Sequence, residues 1–216
     1  MICCWCVKIK VPLTRWLIKA LELAFEGDVK KCTDKDLSYL GMHLKIEDGR
    51  VTISMTSYLK GVLDELEVKG TVTTPATTNL FMVNKKSPAL SIQKAKQFHT
   101  TVAKLLYLAK RARVDVLLTV AFLSTRVKSP TEEDQSKLER LLKYLNGTRE
   151  QVLVLQPSGD EAIAGYIDAS FGCHSDGKSH SGLVVTLYGC TVLCMSSKQK
   201  IVTKDSTEAE LVALSD

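Results

Sequence analysis

Two acidic residues in the last quarter of the chain stand in contexts that suit metal-dependent phosphodiester chemistry. Asp168 follows Tyr166 and Ile167 in an apolar run with strand character, and Glu210 directly precedes a helical apolar run that begins at Leu211. Mg²⁺ prefers oxygen ligands held by rigid elements, and carboxylates from a strand and from a packed helix can converge on one ion. We therefore expect Asp168 and Glu210 to share a divalent cation.

Glu208 is a further candidate metal ligand on the same predicted helix. Residues two apart point to different sides of a helix, so Glu208 and Glu210 are not expected to face the strand together. Glu210 adjoins the apolar run 211–214, which makes it the preferred ligand. A helix start capped by Ser206 or Thr207 also explains both glutamates, because the helix dipole favours acidic residues there.

Other polar residues lie between the two carboxylates, at His174, Asp176, His180 and Lys198. A metal site formed by His174 and His180 is one interpretation. A polar loop over residues 172–181 is the simpler one. For Asp168 an ordinary structural role is also open, because an aspartate at the end of a strand most often bonds a turn backbone.

The composition is that of a globular protein and argues against a zinc protein and a membrane-spanning protein. The chain has 216 residues, of which 45% are hydrophobic and 25% charged, and a net charge of +5, which is compatible with a polyanionic partner. Only Cys3 and Cys6 among the seven cysteines have Cys-x-x-Cys spacing, so we expect reduced thiols and no zinc site. No segment approaches the roughly 18 apolar residues of a membrane span. We expect an intracellular protein, in the cytoplasm or nucleus, without a membrane partner.

Hydrophobic periodicity predicts an α+β chain. Residues 1–35 stay poorly defined, apart from a short helix over Leu17–Phe25. After residue 35 we predict a strand at 37–44 and a hairpin through Asp48–Gly49 to a strand at 51–55. A helix capped by Thr56 or Ser57 and a loop over 69–91 follow. Three more helices are predicted at 95–109, 114–127 and from Thr131 to 145.

The three later helices are expected to form a helical subdomain over residues 95–146. Its predicted core residues are those on the apolar sides of the helices: Leu105, Leu106, Leu108, Leu117, Leu118, Ala121, Leu138, Leu141 and Leu142.

The pattern changes to period two after Gly147. Four consecutive strands are predicted at 152–155, 163–168, 182–188 and 191–195, followed by the helix that carries Glu210. We therefore expect a domain boundary near residues 148–151, which divides the chain into segments 1–35, 36–150 and 151–216.

From about residue 36 onward, short segments resemble one family in a single order: the reverse transcriptase–ribonuclease H part of copia-type (Pseudoviridae-like) retrotransposon polyproteins. Each match is weak alone, but the shared order makes the resemblance specific. The segments that carry it are Leu37–Met42, Thr52–Leu63, Pro75–Ala76, Phe98–Leu108, Ala112–Val116, Ser129–Thr131, Leu142–Thr148, Gly165–Ala169, Lys178–Gly182, Ser196–Gln199 and Ser206–Glu210.

The resemblance implies the end of a reverse transcriptase palm, with its β-hairpin and helical thumb or connection, followed by a truncated RNase H-like mixed β-sheet with a helix. It implies two Mg²⁺ ions, with Asp168 bridging both and Glu210 binding one. The implied partners are an RNA–DNA hybrid, recognised by backbone shape, and the rest of the Pol polyprotein. The implied nucleic-acid contacts, at the primer end and nearby, are Leu40, Gly41, Met42 and Lys198.

The sequence departs from the family pattern at functional positions. The Tyr-x-Asp-Asp polymerase motif is absent from it, and the third RNase H aspartate is expected beyond Asp216. Ser170, Leu183 and Cys194 replace an aspartate, an aromatic residue and a tryptophan that the family usually has. We therefore expect the chain as given to be inactive as a polymerase and as a nuclease. The alternative is a non-catalytic nucleic-acid-binding or protein-interaction module derived from a retroelement.

Overall fold

The computed structural model describes residues 11–25, 34–158 and 162–215. The chain divides into two compact units, residues 1–34 and 35–216. The described residues contain six α-helices and two antiparallel sheets, which confirms the α+β class. No helix in these ranges combines the length and the apolar character that a membrane span requires.

The first unit contributes one described element, helix α1 over Val11–Phe25. The helix begins earlier than the predicted start at Leu17. Expectations for residues 1–10 and 26–33 fall outside the described residues.

The first sheet is formed by β1 (Asp36–Tyr39), β2 (Met42–Glu47), β3 (Arg50–Ser54) and β4 (Leu153–Leu155), paired in that order. The predicted turn at Asp48–Gly49 joins β2 to β3. Its two residues have φ values of +48° and +76°, as tight hairpin turns require.

The single strand predicted over residues 37–44 is wrong, because the chain reverses direction within it. Leu40 and Gly41 have φ values of +48° and +74° and form the turn between β1 and β2. Glycine adopts this conformation without strain, so Gly41 permits a reversal that the alternating pattern conceals. The hydroxyl of Tyr107 donates a hydrogen bond to the Leu40 carbonyl at 2.6 Å and holds the turn in place.

The segment predicted as the first strand of the C-terminal meander belongs to the first sheet instead. β4 pairs with β3 through Val51 opposite Leu155 and Ile53 opposite Leu153. The chain therefore returns to complete the first sheet after the helices, and residues 35–216 pack as one compact unit. The domain boundary near residues 148–151 stays a prediction.

Between β3 and β4 lie α2 (Thr56–Glu65), α3 (Ile92–Ala109), a 3₁₀ turn (Val114–Val116), α4 (Leu117–Ser124) and α5 (Glu132–Gly147). The long loop predicted before α3 is confirmed, since residues 69–91 contain no helix or strand.

The two predicted helix caps have different outcomes. Thr131 and Asp134 form a reciprocal capping box at the start of α5, which confirms the predicted cap. At α2 the prediction of Thr56 or Ser57 is wrong, because the capping position is Met55 and its side chain forms no capping bond. The Ser54 hydroxyl accepts the Thr56 N–H instead.

The helices enclose the main hydrophobic core together with one face of the first sheet. The prediction that Leu118 is a core residue is wrong, because 46% of it is exposed, whereas its neighbour Leu117 is buried. Adjacent residues on a helix point about 100° apart, so one apolar face cannot hold both. Leu106 and Ala121 are partly buried, and the remaining six are buried: Leu105, Leu108, Leu117, Leu138, Leu141 and Leu142.

The second sheet contains β5 (Ile163–Ser170), β6 (His180–Leu187) and β7 (Cys190–Lys198), in that order, and is followed by α6 (Ser206–Ser215). All three strands are antiparallel, so the described part of this sheet lacks the parallel strand of a mixed sheet. Helix α6 packs on β5 and β6, and α4 packs on β7.

Candidate functional site

The structure places Glu210 against the backbone of β5, next to Asp168, at the outer edge of the strand. The backbone N–H of Ala169 donates a hydrogen bond of 3.3 Å to Oε1 of Glu210. The Ala169 nitrogen is bonded to the carbonyl carbon of Asp168, so the Glu210 carboxylate lies beside the Asp168–Ala169 peptide. β5 is an edge strand of the described sheet, so its outward-pointing N–H groups have no neighbouring strand there and can bond to other elements.

Strand alternation sets the direction of the Asp168 side chain. Asp168 pairs with Gly182, and Ala169 pairs with Ser181 on the opposite face. The Ser181 hydroxyl is linked through Gln199 to α6, so α6 covers the Ala169 face. Asp168 therefore projects from the other face, and both carboxylates are exposed. The Glu210 side chain reaches β5 at the edge that is not paired with β6.

The donor set limits what this edge can hold. A site for two Mg²⁺ ions requires about four carboxylates, and the structure places two here. Across residues 11–25, 34–158 and 162–215, no group of three or more His, Cys, Asp and Glu side chains is arranged to hold a metal. The pair does not fit two ions. A single Mg²⁺ shared by the two carboxylates stays a prediction, and such an ion would keep most of its water ligands.

Glu208 has a structural role at the start of α6. Its backbone N–H donates to Oδ1 of Asp205 at 2.8 Å, and its carboxylate accepts the Lys204 N–H at 2.6 Å. Asp205 is therefore the helix cap, and the prediction of a cap at residues 206–207 is wrong. The backbone hydrogen bond occupies the Glu208 carboxylate at the helix end, which favours Glu210 as the ligand.

Lys198, a predicted nucleic-acid contact, forms an ion pair in the structure. Its ammonium group donates to Oδ2 of Asp176 at 2.7 Å, and this hydrogen bond holds the pKa of Asp176 below its ordinary value. A phosphate group would have to compete with Asp176 for Lys198.

The other predicted nucleic-acid contacts surround the turn between β1 and β2. Leu40 is 54% exposed at this turn, with Gly41 next to it. The Met42 side chain is buried and packs in the core. The surface of the turn is therefore formed by the Leu40 side chain and by backbone.

His174 and His180 are buried, although residues 171–179 form a loop in the region where the sequence predicts one. His174 Nε2 and His180 Nδ1 are 3.0 Å apart, and His180 Nε2 is 2.7 Å from the Ser196 hydroxyl. The Phe81 ring packs against both imidazoles. Burial lowers the pKa of each histidine to about 4. These hydrogen bonds occupy three of the four ring nitrogens, so the pair is not arranged as a metal site.

Gln199 was noted in the sequence only as part of a motif match. It is 2% exposed, and its Nε2 donates to Ser181 Oγ at 3.0 Å and to the Ala209 carbonyl at 2.9 Å. A glutamine between Lys198 and Lys200 is typical of an exposed segment, so its local sequence context concealed its burial.

Arg113 lies in a segment rich in basic residues, but it is only 2% exposed. Its guanidinium forms two hydrogen bonds to Asp115, of 2.9 Å and 2.8 Å, and donates to the Thr148 carbonyl at 2.8 Å. The aspartate two residues later was the available signal for a local ion pair. This pair fixes the end of α5 against the 3₁₀ turn.

Three transposon proteins are similar to this chain over most of its length. The chain is 29% identical over 212 residues to the retrovirus-related Pol polyprotein from transposon TNT 1-94 of Nicotiana tabacum, covering 92% of this chain and 16% of that protein. It is 28% identical over 183 residues to a putative transposon Ty5-1 protein of Saccharomyces cerevisiae, covering 82% and 59%. It is 33% identical over 185 residues to the Pol polyprotein from transposon RE1 of Arabidopsis thaliana, covering 82% and 12%.

No family model and no solved structure matches the chain. The chain spans only part of its relatives, 16% of the tobacco polyprotein and 59% of the yeast protein. The similarity nevertheless covers more than four fifths of this chain in each comparison, and it agrees with the ordered motifs in the sequence. The chain belongs to the family of copia-type retrotransposon Pol polyproteins.

Proposed function

We propose that this chain is the Pol segment that carries the end of a reverse transcriptase palm, its thumb or connection helices, and the first part of an RNase H-type domain. The observation that supports this most is the approach of Glu210 on α6 to the Asp168–Ala169 peptide at the edge of an antiparallel sheet. The family resemblance implies one ligand on a strand and one on the helix that packs beside it, and Asp168 and Glu210 lie on two such elements.

In this proposal, the C-terminal part acts on the RNA strand of an RNA–DNA hybrid. Bound Mg²⁺ ions supply an activated water and stabilise the leaving oxygen in this class of hydrolysis. The chain provides Asp168 and Glu210 as two ligands, and a complete site takes its other carboxylates from elsewhere in a longer Pol polyprotein. The described residues alone are therefore proposed to bind a hybrid without cleaving it.

The N-terminal part of the second unit is proposed to contact the nucleic-acid backbone. The turn at Leu40–Gly41 is anchored on α3 by Tyr107, and the Arg111 guanidinium lies 3.6 Å from the centre of the Tyr107 ring. This places an exposed turn and a cation on neighbouring parts of the surface. Arg111 would contact phosphates, and A-form backbone shape would select the hybrid.

The test is a binding and cleavage assay with a labelled RNA–DNA hybrid and a DNA duplex of the same sequence. We expect tighter binding to the hybrid, and affinity that falls as salt rises from about 50 to about 200 mM. Arg111→Gln should weaken hybrid binding, whereas Lys86→Gln, an equal charge change on the exposed 69–91 loop, should not. Neither cleavage with Mg²⁺ or Mn²⁺ nor primer extension is expected.

The assay separates the proposal from its alternatives. Equal affinity for hybrid and duplex would indicate a general nucleic-acid-binding module. Absence of binding to either would overturn the nucleic-acid role. Metal-dependent cleavage that Asp168→Asn abolishes would show that the chain forms a complete nuclease site.

A further inference from the structure

A buried glutamine links α6 to the second sheet. Gln199 follows β7 and is 2% exposed. Its Nε2 donates to the Ser181 hydroxyl on β6 and to the Ala209 carbonyl on α6, at 3.0 and 2.9 Å. Its backbone N–H donates to the Ser179 carbonyl at 2.9 Å, which fixes the position of the glutamine itself.

The two acceptors flank the hydrogen bond at the candidate site. Ala209 directly precedes Glu210, and Ser181 is the cross-strand partner of Ala169. One amide nitrogen therefore holds the neighbour of each residue in the Glu210–Ala169 contact. A shift of α6 along the sheet would break the link to Ala209 and move the Glu210 carboxylate away from the strand.

Apolar packing contributes little to the placement of α6. Its buried residues are Ala209 and Ala213, and Val212 is partly buried, whereas Leu211 and Leu214 are 62% and 66% exposed. Two alanine methyl groups define the position of a helix poorly, because they bury little area and do not interlock with deep grooves. The directional hydrogen bonds of Gln199 fix the position of α6 where this packing does not.

A glutamine is energetically less favourable at this buried position than an apolar side chain of similar size. Its Oε1 is buried and has no hydrogen-bond partner in the described part of the chain. A buried polar atom without a partner is unfavourable, and an apolar side chain of similar size would avoid that cost. The two Nε2 hydrogen bonds are the feature that an apolar replacement could not reproduce.

We propose that Gln199 is a positioning residue, which sets the register of α6 on the sheet so that the Glu210 carboxylate meets the Asp168–Ala169 peptide. Its importance for metal binding rests on the proposed function, in which Glu210 is a ligand. The positioning itself does not depend on a metal ion.

The test compares amide hydrogen exchange at Ala169 in three variants. Gln199→Met keeps the side-chain volume and removes both Nε2 hydrogen bonds. Glu210→Ala removes the acceptor of the Ala169 N–H and defines complete loss of the contact. Val120→Ala, in the buried part of α4, is the control for general destabilisation.

We expect exchange at Ala169 to become about tenfold faster in Gln199→Met, the factor that corresponds to one hydrogen bond, and to approach the rate in Glu210→Ala. Val120→Ala should leave this rate within about twofold of native while lowering the unfolding midpoint. Gln199→Met that loses stability with native exchange at Ala169 would overturn the proposal. If Gln199→Met does not fold, Ser181→Ala, which removes one acceptor, decides the question at the same amide.

A second measurement separates positioning from metal binding. Mn²⁺ added to the native protein should broaden the amide resonances of residues 168–170, and Gln199→Met should reduce that broadening. Absence of broadening in the native protein would overturn the metal site, while exchange at Ala169 would still decide the role of Gln199.

Discussion

The Glu210 carboxylate accepts the backbone N–H of Ala169 at 3.3 Å, across the open edge of β5. The two residues are 41 positions apart in the chain, so their contact depends on how α6 docks on the sheet. It brings the Glu210 carboxylate to the backbone of the strand that carries Asp168. The position of the Glu210 carboxylate therefore depends on how precisely α6 is held on the sheet.

The helical core should respond strongly to loss of a buried leucine. Leu141→Ala on α5, where the side chain is 0% exposed, should lower the free energy of unfolding by about 2–5 kcal/mol. Leu118→Ala on α4, where nearly half of the residue is exposed, should cost less than about 1 kcal/mol. Urea unfolding measures both. Similar losses for the two variants would show that the assigned orientation of α4 is wrong.

Arg113 should contribute to stability through its buried hydrogen bonds. Arg113→Met removes the guanidinium from Asp115 and from the Thr148 carbonyl, which keep the Tyr144 hydroxyl and the Gln151 N–H as donors. The loss of these hydrogen bonds should lower the free energy of unfolding by about 1–3 kcal/mol. Arg113→Lys should restore only part of this, since an ammonium group cannot reproduce the forked pair with Asp115. A full rescue by lysine would contradict the importance of that geometry.

The buried histidine pair should make stability depend on pH. Burial, with a smaller contribution from Lys198 at His174 and from His174 at His180, lowers both pKa values from 6.5 to about 4, although Asp176 acts in the opposite direction on His174. Between these values the unfolded chain binds more protons than the folded chain. The contribution of the uncharged histidine pair to the free energy of unfolding is therefore fully present above about pH 6.5. It is lost progressively as the pH falls towards 4.

Unfolding measured between about pH 7.5 and about pH 5 tests this, because the pair should lower stability across that range. The double variant His174→Gln/His180→Gln should show a shallower dependence. An equally steep dependence in the double variant would assign the effect to other groups.

Local signals predicted much of the fold but not its long-range pairings. Asp48–Gly49 and the Thr131 cap were predictable because a turn or cap is determined by a few neighbouring residues. The turn at Leu40–Gly41 was missed because apolar residues recur on both sides of it, and positive φ at a leucine leaves no sequence signal. The partner of β4 lies about a hundred residues earlier, beyond any local pattern.

The candidate site shows the same division. Asp168 and Glu210 were identified because carboxylates in apolar contexts are conspicuous. The hydrogen-bonded burial of His174, His180 and Gln199 was not predictable, because it arises from tertiary contacts to residues such as Phe81 and Ala209.

The most direct measurement is a calorimetric titration of Mn²⁺ onto the native protein and three single variants. We predict one weak site that is lost in both Asp168→Asn and Glu210→Gln, because one hydrated ion requires both carboxylates. Glu208→Gln should bind as the native protein does, since a glutamine can still accept the Lys204 N–H at the start of α6. Binding that persists unchanged in both Asp168→Asn and Glu210→Gln would contradict a shared cation site at the edge of β5.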